Sequence, residues 1–347
     1  MRAKRITACL LGGMMAASVL MGCGGVDKNA TVATFDETRV PLGVANFAAR
    51  LQQASYDDFY VAYFGEDVWS SDLYGDGSTM ADSVKTNVLD SLFTMYTLEA
   101  HRAEYGVELT AEDEAAIAEA VSGFLAANSG DALAALGADR ETVERYLVLN
   151  TIQSRMHNAI IAQADVEVSD AEANTSAYSY VRVSKTSYTD AEGNTAEYDE
   201  AGLEELVATI EAFDAEAKEG TLEDAADAYG YTVNTGTFTA DDEYLDEAVL
   251  TALRGMAEGE ISEVIDTENW YYVVRLDAET DAEATENTKT SIIAQRQSDL
   301  YNEVLEGWKE GHTWTTDEKV WATVTFDNLF TTVAPGTETE EAENTEQ

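Results

Sequence analysis

Trp270-Tyr-Tyr-Val-Val-Arg-Leu276 is the stretch that decides the fold of the second half of this chain. Its aromatic and β-branched residues predict a strand. Gly259-Glu-Ile-Ser262 comes before it and predicts a turn. Further upstream, the sequence predicts two more strands, over Tyr178–Ser184 and Gly236–Phe238. It also predicts three helices, over Asp199–Lys218, Thr221–Tyr229 and Leu245–Gly255. The order strand, helix, helix, strand, helix, strand indicates a compact mixed α/β domain of about 100 residues.

Helical periodicity dominates both flanks of this domain. Ahead of it, Ala30–Val40 predict a strand pair, and four helices follow, starting at Pro41, Ser78, Thr110 and Asp139. The first helix extends to Leu51, and the Tyr-, Trp-, Asp- and Gly-rich residues after it predict an ordered loop. Behind the domain, Ala282–Glu310 predict one long helix. We therefore expect an α+β fold in which both termini form a largely helical domain and the α/β unit is an insert.

The charge balance restricts the partners. The chain has 67 Asp and Glu residues against 20 Lys and Arg, a net charge of −47. This excess argues against nucleic acid, and anionic lipid headgroups would also repel the chain. The simplest role of the acidic surface is solubility, and the alternative is selection of basic client proteins or of divalent ions. With 45% hydrophobic residues, the chain is nevertheless globular.

The N-terminus has the three parts of a secretory signal, which are a basic start, the apolar segment Ile6–Leu20 and a small residue before the cleavage point. Leu20-Met21-Gly22-Cys23 resembles a lipobox, so we expect cleavage before Cys23 and lipidation of that residue. The protein would then be extracytoplasmic and lipid-anchored to the bacterial cell membrane. The alternatives are an ordinary secreted protein and an uncleaved anchor, although the apolar segment is shorter than the roughly 20 residues that span a bilayer. Cleavage would also remove Cys9, the only other cysteine.

The sequence predicts no cofactor, no metal site and no nucleotide site. The acidic clusters Asp241-Asp242-Glu243 and Asp246-Glu247 lack the ligand spacing of a calcium loop and favour a helix start. His101 has no second histidine at helical spacing, so it does not indicate a metal site. The chain also lacks a glycine-rich phosphate loop.

A set of short motifs within residues 174–279 resembles the parvulin, or PpiC-type, family of peptidyl-prolyl isomerases. They are Gly220 before Thr221-Leu-Glu-Asp-Ala-Ala226, Gly236-Thr-Phe238, Ala252, Gly259-Glu-Ile-Ser262 and Trp270-Tyr-Tyr-Val-Val-Arg-Leu276. With the lipobox and the two helical flanks, the whole chain resembles PrsA- and SurA-type foldases. The resemblance implies a signal peptide over 1–22, a tether over 23–31 and a parvulin-like insert over 174–279. It also implies a chaperone domain in two parts, 32–173 and 280–332, and a disordered acidic tail over 333–347.

The chain departs from the parvulin pattern where that family carries its two histidines. Tyr180 stands at the histidine position of the first strand, and Tyr272 at that of the last strand. All three histidines of the chain lie outside the insert, at His101, His157 and His312. The resemblance places Val249 at the pocket's aromatic position and keeps Phe238 and Met256 as apolar lining. These five residues are the candidate pocket, in which the tyrosines either fill the histidines' volume or donate hydrogen bonds.

The sequence therefore predicts a membrane-anchored extracytoplasmic folding factor whose partners are unfolded or partly folded secreted proteins. Its isomerase activity is expected to be weak or lost. One alternative is an active peptidyl-prolyl cis-trans isomerase with a tyrosine-lined pocket, and another is a non-catalytic envelope interaction module. Further residues are expected either to pack between the termini or to bind clients, namely Trp308, Trp314 and Trp321, together with Met80, Phe93, Met95 and Tyr96.

Overall fold

The computed structural model describes residues 14–17, 26–73, 75–189 and 193–333. The predicted lipidation site at Cys23, most of the predicted signal and nearly all of the predicted tail lie outside the described residues. The chain divides into two compact units. The first combines the chain up to Gln163 with the residues from Ser298 onward, and the second is Ala164–Gln297. Described segments on both sides of the second unit thus belong to one unit, and the fold is α+β as predicted.

The elements before residue 164 are mostly helical. They are the strands β1 (Met14–Ala17), β2 (Thr31–Phe35) and β3 (Thr38–Pro41), the helices α1 (Leu42–Phe64), α2 (Met80–His101), α3 (Ala111–Ala127), α4 (Gly130–Leu136) and α5 (Arg140–Ile161), and 3-10 turns over Val68–Ser70 and Arg102–Tyr105.

The remaining elements alternate between strands and helices. They are α6 (Asp170–Ala173), β4 (Thr175–Ser184), β5 (Ser187–Thr189), β6 (Thr195–Glu197), α7 (Glu200–Glu219), α8 (Leu222–Tyr229), β7 (Asn234–Thr239), α9 (Glu247–Gly255), β8 (Ile265–Asp266), β9 (Trp270–Ala278), α10 (Ala282–Glu310), β10 (Trp314–Thr316), α11 (Glu318–Trp321) and β11 (Phe330–Val333). The division between the two units falls within α10. Within the described residues, no helix is both long enough and apolar enough to span a membrane.

Helix α1 differs most from the prediction. The expected loop starts too early, because the helix continues beyond Leu51 to Phe64. The loop begins at Gly65, whose φ of 90° is left-handed. Aromatic residues have modest helix propensity, but ring contacts between neighbouring turns stabilise this half of the helix. The predicted start of α2 at Ser78 is also wrong by one residue. Thr79 is the cap, since its hydroxyl accepts from the backbone N–H of Asp82 at 3.1 Å. The side chain of Asp82 in turn accepts from the backbone N–H of Thr79.

The C-terminal segment of the first unit is held by buried polar side chains of α1. Arg50, only 2% exposed, donates to the carbonyls of Thr325 at 2.8 Å and Asn328 at 2.9 Å. The fully buried Asp57 accepts from the backbone N–H of Phe330 at 2.7 Å and from the indole of Trp69 at 2.6 Å. These bonds join segments far apart in the sequence, so local patterns do not indicate them.

The tryptophans of the first unit are packing residues. Trp321 is buried in the main core, Trp314 stacks on Phe93 at 5.4 Å between ring centroids, and Trp308 stacks on His101 at 4.2 Å. Core positions are also found for Met80, Met95 and Tyr96, so these three do not form a client surface. His101 contacts His312 through their Nε2 atoms at 3.0 Å, a pairing that sequence spacing does not indicate.

The second unit is built on an antiparallel sheet with strand order β7-β4-β9-β8. One face packs against α7 and α8 and includes Val181 and Val273. The opposite face packs against α9 and includes Tyr178 and Val274. Successive side chains of a strand point to opposite faces, so the residues at even positions of β4 and β9 lie together on the α9 face.

Candidate functional site

The five predicted pocket residues come together on the α9 face of this sheet. Tyr180 lies on β4, Phe238 on β7 and Tyr272 on β9, while Val249 lies on α9 and Met256 directly follows that helix. All five belong to one apolar cluster. Val249 is fully buried and Phe238 is 5% exposed, whereas the two tyrosines and Met256 are partly exposed. The site is therefore an apolar surface with two tyrosine rings at its accessible side.

The two tyrosines are diagonal neighbours on adjacent strands. In the register of β4 and β9, Tyr180 is opposite Val274 and Tyr272 is opposite Arg182. This offset puts the ring centroids 6.0 Å apart with an interplanar angle of 42°. Among the described residues, no hydrogen bond joins the two hydroxyls, and neither hydroxyl is buried without a partner. The tyrosines thus contact each other as rings.

Tyr178 is a third aromatic residue of the site, and the sequence analysis missed it. It is 7% exposed, stacks on Tyr180 at 5.4 Å and meets Phe238 edge-on at 5.8 Å. Burial raises the pKa of its hydroxyl to about 12, and Tyr180, Tyr272 and Asp242 add to the shift. Tyr178 stands two residues before Tyr180 on the same strand, so the period of two would have indicated that both share a face.

Gly236 is required by the ring of Tyr178. The two residues are directly opposite each other on β7 and β4. A Cβ atom on Gly236 would lie 2.7 Å from Cε1 of Tyr178 and 2.9 Å from its hydroxyl oxygen, closer than such contacts allow. The glycine in the predicted Gly236-Thr-Phe238 motif therefore makes room for an aromatic ring that lies across the strand.

The acidic residues beside the site have structural roles. Asp242 accepts hydrogen bonds from the backbone N–H groups of Tyr244 and Leu245, each at 2.9 Å. Asp246 caps α9 by accepting from Ala248 at 2.9 Å. These contacts agree with the predicted helix start. In the part of the chain that the structure describes, no cluster of three or more His, Cys, Asp or Glu residues is arranged to hold a metal ion.

The site offers binding and hydrogen-bonding groups, which is what prolyl rotation needs. Rotation about a peptide bond has a barrier of about 18–20 kcal/mol and involves no nucleophile. Catalysis requires that the twisted amide binds better than either planar form. The α9 face supplies an apolar surface for a proline ring and the hydroxyls of Tyr180 and Tyr272 as neutral donors. It supplies no imidazole, because His101, His157 and His312 all lie outside the second unit.

A family model matches the second unit. Residues 184–287 match the PPIC-type PPIase domain. The chain therefore carries a domain of this family, as its motifs predict. The matched range includes Phe238, Val249, Met256 and Tyr272, and it begins after Tyr180.

Solved structures similar to this chain include two foldases. The foldase protein PrsA from Streptococcus pneumoniae strain Canada MDR_19A has 17% identity and a TM-score of 0.29, covering 72% of this chain and 97% of that one. The foldase protein PrsA from Lactococcus lactis has 13% identity and a TM-score of 0.31, covering 85% and 97%. No curated protein sequence matches this chain.

Proposed function

We propose that this chain is a membrane-anchored extracytoplasmic folding factor that holds unfolded secreted proteins, and that its isomerase-like domain has weak or no activity. The observation that carries the proposal is the match of residues 184–287 to the PPIC-type PPIase domain. It is supported by Tyr180 and Tyr272, which stand where the family resemblance expects histidines and whose rings lie 6.0 Å apart on the α9 face. In this proposal, residues 32–173 and 280–332 form the holding domain, and residues 174–279 form the isomerase-like domain.

The tyrosine rings account for the expected loss of activity. Tyr180 stacks on Tyr178 and contacts Tyr272 in a tilted arrangement, so aromatic rings take up the side of the pocket where the family resemblance expects imidazoles. A tyrosine has one hydroxyl oxygen for hydrogen bonding, whereas an imidazole has two nitrogens that can exchange donor and acceptor roles. Holding an unfolded chain, in contrast, needs only accessible apolar surface and no ATP.

The activity is tested by NMR measurement of cis/trans exchange in an Xaa-Pro peptide with the purified protein. We expect little or no acceleration from the wild-type protein. The variant with both Tyr180→His and Tyr272→His is expected to gain measurable exchange, because it restores the family's residues. Acceleration by the wild type that is lost in Tyr180→Phe and Tyr272→Phe, and kept in the control Tyr244→Phe, would instead establish an active isomerase with a tyrosine site.

The holding function is tested by aggregation of a chemically unfolded secreted protein in the absence of ATP. We expect the protein to suppress aggregation at near-equimolar amounts. Crosslinking in cells should then capture many secreted proteins. Capture of one or two fixed envelope partners, with no effect on aggregation, would show a docking module and would refute the folding factor.

The membrane anchor is tested by fractionation. The wild-type protein is expected in the membrane fraction with a covalently attached fatty acid. Cys23→Ala should abolish acyl labelling and release the protein from membranes. An acylated wild-type protein would support the anchor, and an unlabelled, freely secreted one would contradict it.

A further inference from the structure

The C-terminal half of α1 exposes a row of aromatic side chains. The first half of the helix, from Leu42 to Arg50, is buried throughout. The second half has large rings on its surface, with exposed fractions of 42%, 56%, 73% and 54% for Tyr56, Phe59, Tyr63 and Phe64. Together with the half-buried Tyr60, these residues are called the α1 aromatic surface below. A contiguous exposed apolar patch of this kind marks an interaction site.

The rings of the α1 aromatic surface are ordered by contact with one another. Tyr56 stacks on Tyr60 at 5.2 Å, and Phe59 contacts Tyr63 at 4.6 Å. Tyr60 in turn contacts the buried Trp69 at 5.9 Å, which anchors the row to the core. These spacings of four residues place the rings on neighbouring turns of one helix. A partner therefore meets a surface whose side chains already have fixed positions, which lowers the entropy cost of binding.

The charged residues next to this surface along the sequence have one sign. Residues 51–79 include six acidic residues and no Lys, Arg or His, the acidic ones being Asp57, Asp58, Glu66, Asp67, Asp72 and Asp76. All except Asp57 are exposed. Glu66 and Asp67 directly follow the end of α1, beside Phe64. The surface is thus both aromatic and negatively charged.

We propose that the α1 aromatic surface binds unfolded client segments in which apolar or aromatic residues are flanked by Lys or Arg. This inference rests on the proposed holding function. Apolar side chains of the client would bury against the rings, while its cations would meet the carboxylates and the ring faces. A second copy of this chain is a poor occupant, because its own α1 aromatic surface has the same charge.

The test uses two fluorescent peptides that share one apolar core and differ only in flanking residues, Lys in one and Glu in the other. At low salt we expect the Lys peptide to bind about tenfold more tightly, with the difference shrinking near 1 M salt. The double variant Phe59→Ser, Tyr63→Ser should lose about tenfold in affinity for the Lys peptide. Tyr244→Ser is the matched control, since Tyr244 is 100% exposed but lies in the second unit.

A charge variant separates the two contributions. Glu66→Lys with Asp67→Lys should weaken binding of the Lys peptide and leave that of the Glu peptide unchanged or stronger. Equal binding of both peptides by the wild type, or unchanged binding by the double aromatic variant, would overturn the inference. A wild-type dimer in sedimentation that the aromatic variant dissociates would also overturn it, by showing a second copy as occupant.

The aggregation assay distinguishes this inference from the holding function itself. If the wild type does not suppress aggregation, the proposed function fails. If the wild type and the double aromatic variant suppress aggregation equally, only the α1 aromatic surface is refuted. Circular dichroism and thermal unfolding of each variant check that the loss of binding is not a loss of fold.

Discussion

The molecule has two aromatic regions with opposite surroundings. On the sheet of the second unit, Tyr178 is 7% exposed and is enclosed by Tyr180, Phe238 and the strand of Gly236. On α1 of the first unit, Tyr63 is 73% exposed, and its ring contact is with Phe59 on the same helix. The same residue type therefore builds a core in one region and a surface in the other.

The difference shows what fixes an aromatic ring in place. In the sheet, strand register brings side chains from separate strands onto one face, and α9 covers that face. On α1, the rings contact neighbours of the same helix, and no other element covers Tyr63 or Phe59 among the described residues. We expect substitutions in the first region to change stability and substitutions in the second to change binding.

The largest expected effect is the loss of the buried support beneath α1. Arg50→Ala removes the donor to the backbone carbonyls of Thr325 and Asn328 and to the side-chain oxygen of Gln53. Hydrogen bonds to a charged group contribute about 1.5–3 kcal/mol each, so we expect a total loss of about 3–5 kcal/mol. Urea unfolding followed by tryptophan fluorescence measures it, since four of the five tryptophans lie in the first unit. The control is Arg140→Ala, which should cost under about 0.5 kcal/mol because this side chain is exposed. Equal costs for Arg50→Ala and Arg140→Ala would contradict the role of the Arg50 hydrogen bonds.

The next effect depends on pH and concerns Tyr178. Its pKa is about 12 in the folded protein, above the value of about 10 expected when unfolded. The folded state thus holds this proton more tightly, so the stabilisation is complete below pH 10 and is lost as the pH rises through 12. The corresponding loss of unfolding free energy is about 2–3 kcal/mol.

Comparison of wild type with Tyr178→Phe isolates this contribution from those of other tyrosines. The Phe variant should lose less stability between neutral and alkaline pH, and the absorbance of tyrosinate near pH 12 should decrease. Tyr244→Phe serves as the control and should follow the wild-type curve. Identical pH profiles for all three proteins would mean that Tyr178 is not enclosed as the structure shows.

Gly236→Ala should cost about 1–3 kcal/mol, because its Cβ atom would overlap the ring of Tyr178. Thermal unfolding measures the cost. Gly255→Ala is the control, since nothing lies within 4 Å of a Cβ atom there. In a Tyr178→Ala background, Gly236→Ala should become nearly neutral. If the costs of Gly236→Ala and Tyr178→Ala are additive, the destabilisation by Gly236→Ala does not come from overlap with the Tyr178 ring.

The smallest expected effect on stability belongs to the α1 aromatic surface. Phe59→Ser and Tyr63→Ser should each change the unfolding free energy by no more than about 0.5 kcal/mol, because both side chains are largely exposed. Chemical unfolding measures this change. A loss above about 1.5 kcal/mol would show that these rings are part of a core and would remove the contrast between the two regions.

Local patterns predicted most of the secondary structure. The helix over Ala282–Glu310 matches α10, and the strand pair around Asp36-Glu37 matches β2 and β3. Thr110, the predicted start of a helix, caps α3 through hydrogen bonds with Asp113, which lie within four consecutive residues. These features succeed because capping, turns and periodicity depend on neighbours in sequence. The continuation of α1 beyond Leu51 was missed because its rings are supported in part by Trp69, outside the helix.

The sequence by itself determined the α+β fold class and, within the second unit, the order of β4, α7, α8, β7, α9 and β9. It did not indicate the short strands β5, β6 and β8. Only the tertiary structure decided which aromatic residues are buried. Tyr178 and Tyr63 differ little in local sequence character. The neighbouring strand and α9 cover Tyr178, whereas Tyr63 is 73% exposed. Burial is a property of contacts between distant segments, and those contacts exist only once the chain has folded.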